Sequence, residues 1–143
     1  MTTLQQLDLN RTARERIRAA GLRPTRQRVA LACLLFEPGA RHITAEALHS
    51  EASSAGFGVS LATVYNTLHQ FVRVGLLREI TVQPGRSYFD TNVADHHHFF
   101  HEARAELEDI KSVAVDLSSL PEPPAGTEIE RIDVVIRLSD RKS

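Results

Sequence analysis

Apolar positions recur at helical spacing up to about residue 75 and at strand spacing after it. Asn10 or Thr12 is placed to cap a first helix that runs to about Ala20, where Gly21 stops it, with Arg11, Arg14 and Arg18 on one face. After Leu22-Arg23-Pro24-Thr25, the positions Val29, Ala32, Cys33 and Phe36 predict the apolar stripe of a second helix, which Glu37-Pro38-Gly39 ends. Cys33 reads there as a core residue. Thr44 is positioned to cap a third helix with Ala45, Leu48 and Ala52 inward, and Gly56-Phe57-Gly58 breaks it. Ser60 opens a fourth, with Leu61, Val64, Leu68, Phe71 and Val72 on its apolar side and Gly75 at its end. Leu76 to Val82 and Ser87 to Phe89, joined by Gln83-Pro84-Gly85-Arg86, predict a β-hairpin.

Helices followed by a hairpin predict a winged helix-turn-helix, whose last helix enters the major groove while the wing grips the adjacent backbone. On the polar strip of the fourth helix, Asn66 can bond adenine through two hydrogen bonds, and Ala62 or the Thr63 methyl can meet a thymine methyl. Tyr65 can reach backbone or base. A merely solvated helix would carry the same residue types, so the strip permits recognition without requiring it.

The last third predicts short strands at His96 to His101, Leu107 to Ile110 and Glu128 to Leu138. In the last of these, Val134, Ile136 and Leu138 alternate with Val135 and Arg137, as a sheet with one buried face requires. Leu120-Pro121-Glu122-Pro123-Pro124-Ala125-Gly126 can be neither helix nor inner strand. So small a sheet rarely stands alone, which predicts pairing with a second copy as a homodimer. The expected organisation is α+β, with a winged-helix DNA-binding domain over 1–89 and a small α/β dimerisation and sensing domain over 90–143.

Composition sharpens this division. The net charge of −1 conceals residues 1–89 with eleven arginines, no lysine and six acids, net +5, against 90–143 with net −6. Arginine forks fit phosphate oxygens and keep their charge, so the first part suits double-stranded DNA, although charge alone only permits that reading. Cys33 is the single cysteine, which excludes an intrachain disulfide and a Cys-pair zinc site. No apolar stretch approaches the roughly 20 residues that span a bilayer, so a cytoplasmic protein without a membrane partner is expected.

Four of the seven histidines, His96, His97, His98 and His101, fall within six residues. On a strand His96 and His98 project to one face and His97 to the other, which offers two imidazoles to one ion. Asp90 and Asp109 lie near enough in sequence to approach the same point, and His42 could add a fifth ligand. Imidazole with carboxylate suits a divalent metal such as Fe2+, Mn2+ or Zn2+. A ligand set spanning both domains would let occupancy fix the angle between DNA-reading and dimerising parts. The plain alternative is an exposed cluster that titrates near neutral pH and binds metals weakly. His49 and His69 read as exposed helical residues.

Leu22-Arg23-Pro24-Thr25-Arg26-Gln27-Arg28, followed by Leu61-Ala62-Thr63-Val64-Tyr65-Asn66-Thr67-Leu68, resembles the ferric uptake regulator superfamily over residues 20 to 138. Ser60 to Phe71, Tyr88-Phe89-Asp90-Thr91-Asn92, Asp95-His96-His97-His98-Phe99-Phe100 and Leu120-Pro121-Glu122-Pro123-Pro124 are similar to its iron response regulator branch. The resemblance implies dimers binding inverted repeats in promoters, with Arg23, Thr25, Arg26, Ser60, Ala62, Thr63, Tyr65 and Asn66 on the DNA side. It implies a regulatory metal site of His42, Asp90, His96, His98 and Asp109, and a second site on Asp95, His97 and Asp116. In the iron response branch it also links His96, His97 and His98 to haem, whose iron takes an axial imidazole.

The chain departs from that pattern in several places. Where many relatives hold a structural zinc with two Cys-x-x-Cys pairs, this sequence reads His101-Glu102-Ala103-Arg104, so no four-cysteine zinc is expected. The final strand offers Arg131, Ile132 and Asp133 where the second site's last histidine would stand, and Leu34 after Cys33 closes the Cys-Pro haem route. The leading expectation is an iron- or haem-responsive regulator, mainly a repressor, of iron and haem metabolism genes. Its rivals are a peroxide-sensing metalloregulator of the same fold and a haem or metal carrier that does not bind DNA. A metalloenzyme lacks any recognisable base or nucleophile, so no enzyme is expected.

Overall fold

The computed structural model describes residues 2–111 and 117–142. The chain divides into two compact units, Met1–Val93 and Ala94–Ser143, a few residues beyond the boundary that charge suggests.

The first unit begins with α1, Thr3–Ala19, which starts well before the expected caps. Thr2 and Gln5 form a capping box, and Gln5 N–H donates to Thr2 Oγ1 at 3.2 Å. Only Ala13 and Ile17 of α1 are buried, while Leu4 and Leu7 face outward. An apolar face therefore does not set where the helix begins. α2, Arg26–Phe36, is capped by Thr25 and buries Val29, Leu31, Ala32 and Leu35, whereas Cys33 and Phe36 stay half-buried. Its buried face is rotated from the expected stripe toward Leu31 and Leu35. α3, Ala45–Ser54, is capped by Thr44 and buries Ala45, Leu48 and Ala52. α4, Leu61–Arg73, is capped by Ser60 and buries Val64, Thr67, Leu68 and Phe71.

A three-stranded sheet completes this unit in the order β1 (His42–Ile43), β3 (Arg86–Asp90), β2 (Arg78–Gln83). β2 and β3 form the expected hairpin, turning at Gly85, whose φ of +75° favours glycine. β1 has no counterpart in the hydrophobic pattern, because two residues are too few to show one.

The second unit holds a sheet in the order β5 (Glu106–Ile110), β4 (His97–His101), β6 (Val135–Leu138), with β4 antiparallel to β5 and parallel to β6. A single 3₁₀ turn, Leu117–Ser119, is its other regular element among the described residues. β6 is much shorter than the expected Glu128 to Leu138, because the polar stretch before Val135 enters no ladder. Ile136 is 39% exposed, so the alternation in β6 is not buried within this unit. No helix among the described residues is long and apolar enough to cross a membrane.

Candidate metal centre and nucleic-acid interface

In the first unit, His42 lies directly opposite Asp90 in the β1–β3 ladder and Ile43 opposite Phe89. Opposed residues share a face, so the buried Ile43 and Phe89 anchor the strand pair in the core and leave His42 and Asp90 together on its other side. Their ligating atoms come within 4.8 Å of one another. Arg41 fixes this short strand. Its backbone N–H donates to Thr91 Oγ1 and its carbonyl accepts from Thr91 N–H, both at 3.0 Å. Its guanidinium grips Glu51 of α3 through two bonds of 3.0 and 2.7 Å. Asn92 N–H donates to Asp90 Oδ1 at 2.8 Å, which orients the carboxylate.

In the second unit, β4 places His98 and Phe100 inward, and the β4–β5 register sets them opposite Asp109 and Leu107. The rings of His96 and His98 lie 4.5 Å apart. Both turn Nε2 toward Asp109 Oδ1, at 3.3 and 3.2 Å. His96 Nδ1 lies 2.6 Å from the Ala94 carbonyl oxygen, which can only accept, so Nδ1 donates there and Nε2 is the nitrogen turned to the carboxylate. Two imidazole nitrogens and one carboxylate oxygen thus converge where a cation would complete them. A backbone carbonyl holding the far nitrogen of a ligating histidine is the usual support of a metal site. The donors fit a divalent ion of the iron, manganese or zinc type.

His97 turns elsewhere, as strand alternation requires, and its Nδ1 accepts from Val134 N–H at 3.2 Å. It lines a cleft of the second unit together with Asp95. Asp116, the third member of the second set, lies outside the described residues. Arg131 and Asp133, near the position of the missing histidine, pair with each other at 2.8 Å. Where a cysteine-bound zinc would sit, His101 meets Glu108 at 2.7 Å and Arg104 meets Glu106 at 3.5 Å. A hydrogen-bonded His101–Glu108 contact and an exposed Arg104–Glu106 pair flank that turn, and Ala105 within it has a φ of +51°.

At the candidate nucleic-acid interface, Ala62 and Asn66 are exposed on α4, and Thr63 and Tyr65 are half-buried. Ser60 and Thr25 act as helix caps, accepting from Thr63 N–H at 3.1 Å and Arg28 N–H at 3.3 Å. Arg23 and Arg26 are exposed, with the Arg26 guanidinium 5.9 Å from the Phe57 ring centre. Two further residues escape sequence reasoning. Arg28 donates from Nε and Nη2 to Gln70 Oε1 at 3.2 and 3.0 Å and from Nη1 to the Arg23 carbonyl at 2.8 Å, tying α2, α4 and the Arg23 loop together. His69, expected to be exposed, is half-buried with its ring 5.7 Å from that of Phe89 and its Nε2 3.8 Å from Glu79. Arginine on a first helical turn offers no sequence signal that separates a brace from a phosphate contact.

Comparison with known proteins matches residues 19–133 to the ferric uptake regulator family. The ferric uptake regulation protein of Shigella flexneri is 35% identical over 81 residues, 57% of this chain and 55% of that one. The peroxide-responsive repressor PerR of Staphylococcus epidermidis is 32% identical over 100 residues, 70% of this chain and 66% of the relative. The match therefore spans between about half and two thirds of these relatives' own lengths. Among solved structures, the ferric uptake regulator of Pseudomonas aeruginosa with manganese has a TM-score of 0.67 at 26% identity, covering 91% of this chain and 98% of that one. The Vibrio cholerae ferric uptake regulator has a TM-score of 0.70 at 21% identity, covering 89% and 98%, a likeness of fold.

Proposed function

The chain belongs to the ferric uptake regulator family, and we propose that it is a metal-dependent transcriptional repressor that binds promoter DNA as a dimer through its winged helix. Its named relatives are regulators, not enzymes. The observation that carries the metal dependence is the convergence of His96 Nε2 and His98 Nε2 on Asp109 Oδ1, with His96 held from behind by the Ala94 carbonyl. We assign the regulatory ion to these three residues together with His42 and Asp90. The support is that each unit assembles its own share of the donors: His42 against Asp90 in one, His96 and His98 against Asp109 in the other. A divalent ion there supplies the positive charge that neutralises two carboxylates and fixes the imidazoles. The DNA side is assigned to Asn66, Ala62, Thr63 and Tyr65 on α4, with Arg23 and Arg26 toward phosphates and Thr25 and Ser60 shaping the helix ends.

The finer reading is that iron or haem is the signal and that the targets are genes of iron and haem metabolism. The run His96-His97-His98 supports it, with His96 and His97 half-buried and His98 only 2% exposed. A second reading, response to peroxide, is favoured by the greater span of the match to the staphylococcal repressor.

The test is binding of fluorescent duplexes, one selected from a random library by the protein and one random. The protein is first stripped by chelator, then given Mn2+, Fe2+ without oxygen, Zn2+ or haem. Metal-loaded protein is expected to bind the selected duplex tightly, with affinity that falls with salt and depends on sequence. Binding indifferent to metal rejects the sensor, and binding indifferent to salt and sequence rejects the regulator. A missing Soret change on haem addition removes haem alone. Unmodified His42, His96 and His98 in mass spectra of the iron-loaded, peroxide-treated protein remove the peroxide reading.

A further inference from the structure

Tyr65 donates its hydroxyl proton to Glu46 Oε1 at 2.6 Å, a bond from the recognition helix α4 to the first turn of α3. Its length is that of a charge-assisted O–H···O⁻ bond. Glu46 is exposed and Tyr65 half-buried, so burial does not force the two together. Both line a cleft of about 390 Å³ with Thr44, Gly85, Arg86 and Ser87. That cleft joins the start of α3, the recognition helix and the wing turn, the parts of a winged helix that approach a duplex. Its lining offers hydroxyls and one guanidinium, a set suited to an anion, and the only anion among these residues is Glu46 itself.

We propose that Glu46 is a built-in stand-in for a DNA phosphate: its carboxylate accepts the Tyr65 bond in the free protein and gives way to a backbone phosphate when DNA binds. The inference rests on the winged-helix reading above. A phosphate entering the cleft meets the Tyr65 donor and the Arg86 cation, but the Glu46 charge repels it. Glu46 is thus a specificity-determining residue, because it weakens every phosphate-driven encounter and leaves the base contacts of Asn66 to decide which site is held. The Tyr65 bond, with a smaller contribution from Arg86, holds the Glu46 carboxyl below the ordinary carboxylate value, so the charge is present at neutral pH.

The test uses the full metal-loaded chain with Glu46→Gln, which keeps a side-chain oxygen for Tyr65 but removes the charge, and with Glu46→Ala. Affinity for a random-sequence duplex and for a library-selected duplex is measured across salt concentration, and thermal melts confirm folding. Both variants are expected to bind the random duplex roughly 2- to 5-fold more tightly than wild type, the scale of one exposed charge. The ratio of selected to random affinity is expected to fall. The slope of log affinity against log salt is expected to steepen, by at most about 0.9, because the Arg86 cation is no longer offset by the Glu46 carboxylate. Unchanged or weaker binding by both variants, while wild type binds both duplexes, overturns the proposal and leaves the DNA-binding reading intact. Failure of wild type to bind either duplex overturns both.

Discussion

His96 and His98 present their Nε2 atoms to the same oxygen of Asp109, at 3.3 and 3.2 Å. If those atoms hold an ion, His98→Ala should abolish saturable Mn2+ or Zn2+ binding measured against a chelating dye. Asp109→Asn, which keeps shape but loses charge, should weaken it by about 10-fold or more. His97→Ala should leave it unchanged, because that ring serves Val134 on the other side of the strand. Equal losses in all three variants would show a general collapse of the β4–β5 pair.

Arg28 of α2 braces α4 through Gln70. Arg28→Ala should destabilise the protein by about 1 to 3 kcal/mol in urea unfolding, since it strands a half-buried amide and a carbonyl. Combined with Gln70→Ala, the double variant should lose less than the sum, the signature of direct coupling. Strict additivity would remove the brace.

The two cap residues should separate cleanly from Asn66 and Arg26. Thr25→Ala and Ser60→Ala should each cost about 1 kcal/mol of stability. Asn66→Ala should leave stability alone and reduce discrimination at one base position by about 1 to 3 kcal/mol, and Arg26→Ala should weaken binding to all duplexes alike. Identical effects of Asn66→Ala and Arg26→Ala on selected and random DNA would mean that α4 is not the reading helix.

Cys33 sits between α1 and α2, its Sγ 3.4 Å from Asn10 Oδ1, and burial, with a smaller push from Glu37, raises its thiol above the usual value of 9.0. The unfolded chain ionises this thiol first as pH rises, so its contribution to stability is intact below about pH 9 and declines above it. Alkylation should accordingly be slow at pH 7 and accelerate only on the alkaline side. Rapid labelling at neutral pH would contradict the packing described.

What the sequence makes legible depends on period. α3 announces itself through Thr44, Ala45, Leu48 and Ala52 because cap and stripe agree, and α4 does so through Ser60, Val64, Leu68 and Phe71. The start of α1 is hidden because a capping box at Thr2, not an apolar face, sets it. On the site side, alternation along β4 is enough to separate His97 from His96 and His98. Pairing across strands is not: the register that puts His98 opposite Asp109 depends on the turn through Ala105, and the one that puts His42 opposite Asp90 needs a two-residue strand. The early part of the expected last strand, Glu128 to Asp133, fails because its polar residues find no ladder partner.

His42 and Asp90 also mark the two ends of a closed circuit. Everything between them, α3, α4 and the β2–β3 hairpin, leaves at β1 and returns at β3, and Arg41 and Thr91 fasten the point of return. Joint ligation by His42 and Asp90 would therefore work as a removable cross-link. The unfolded chain cannot keep the two ligands together, so the ion holds only the folded form and its binding energy adds to the stability of that form. Metal should raise the melting temperature of the reading unit even without DNA, and lose that effect in His42→Ala. Starvation for the ion would then loosen the reader itself, apart from any change in how two copies meet a promoter.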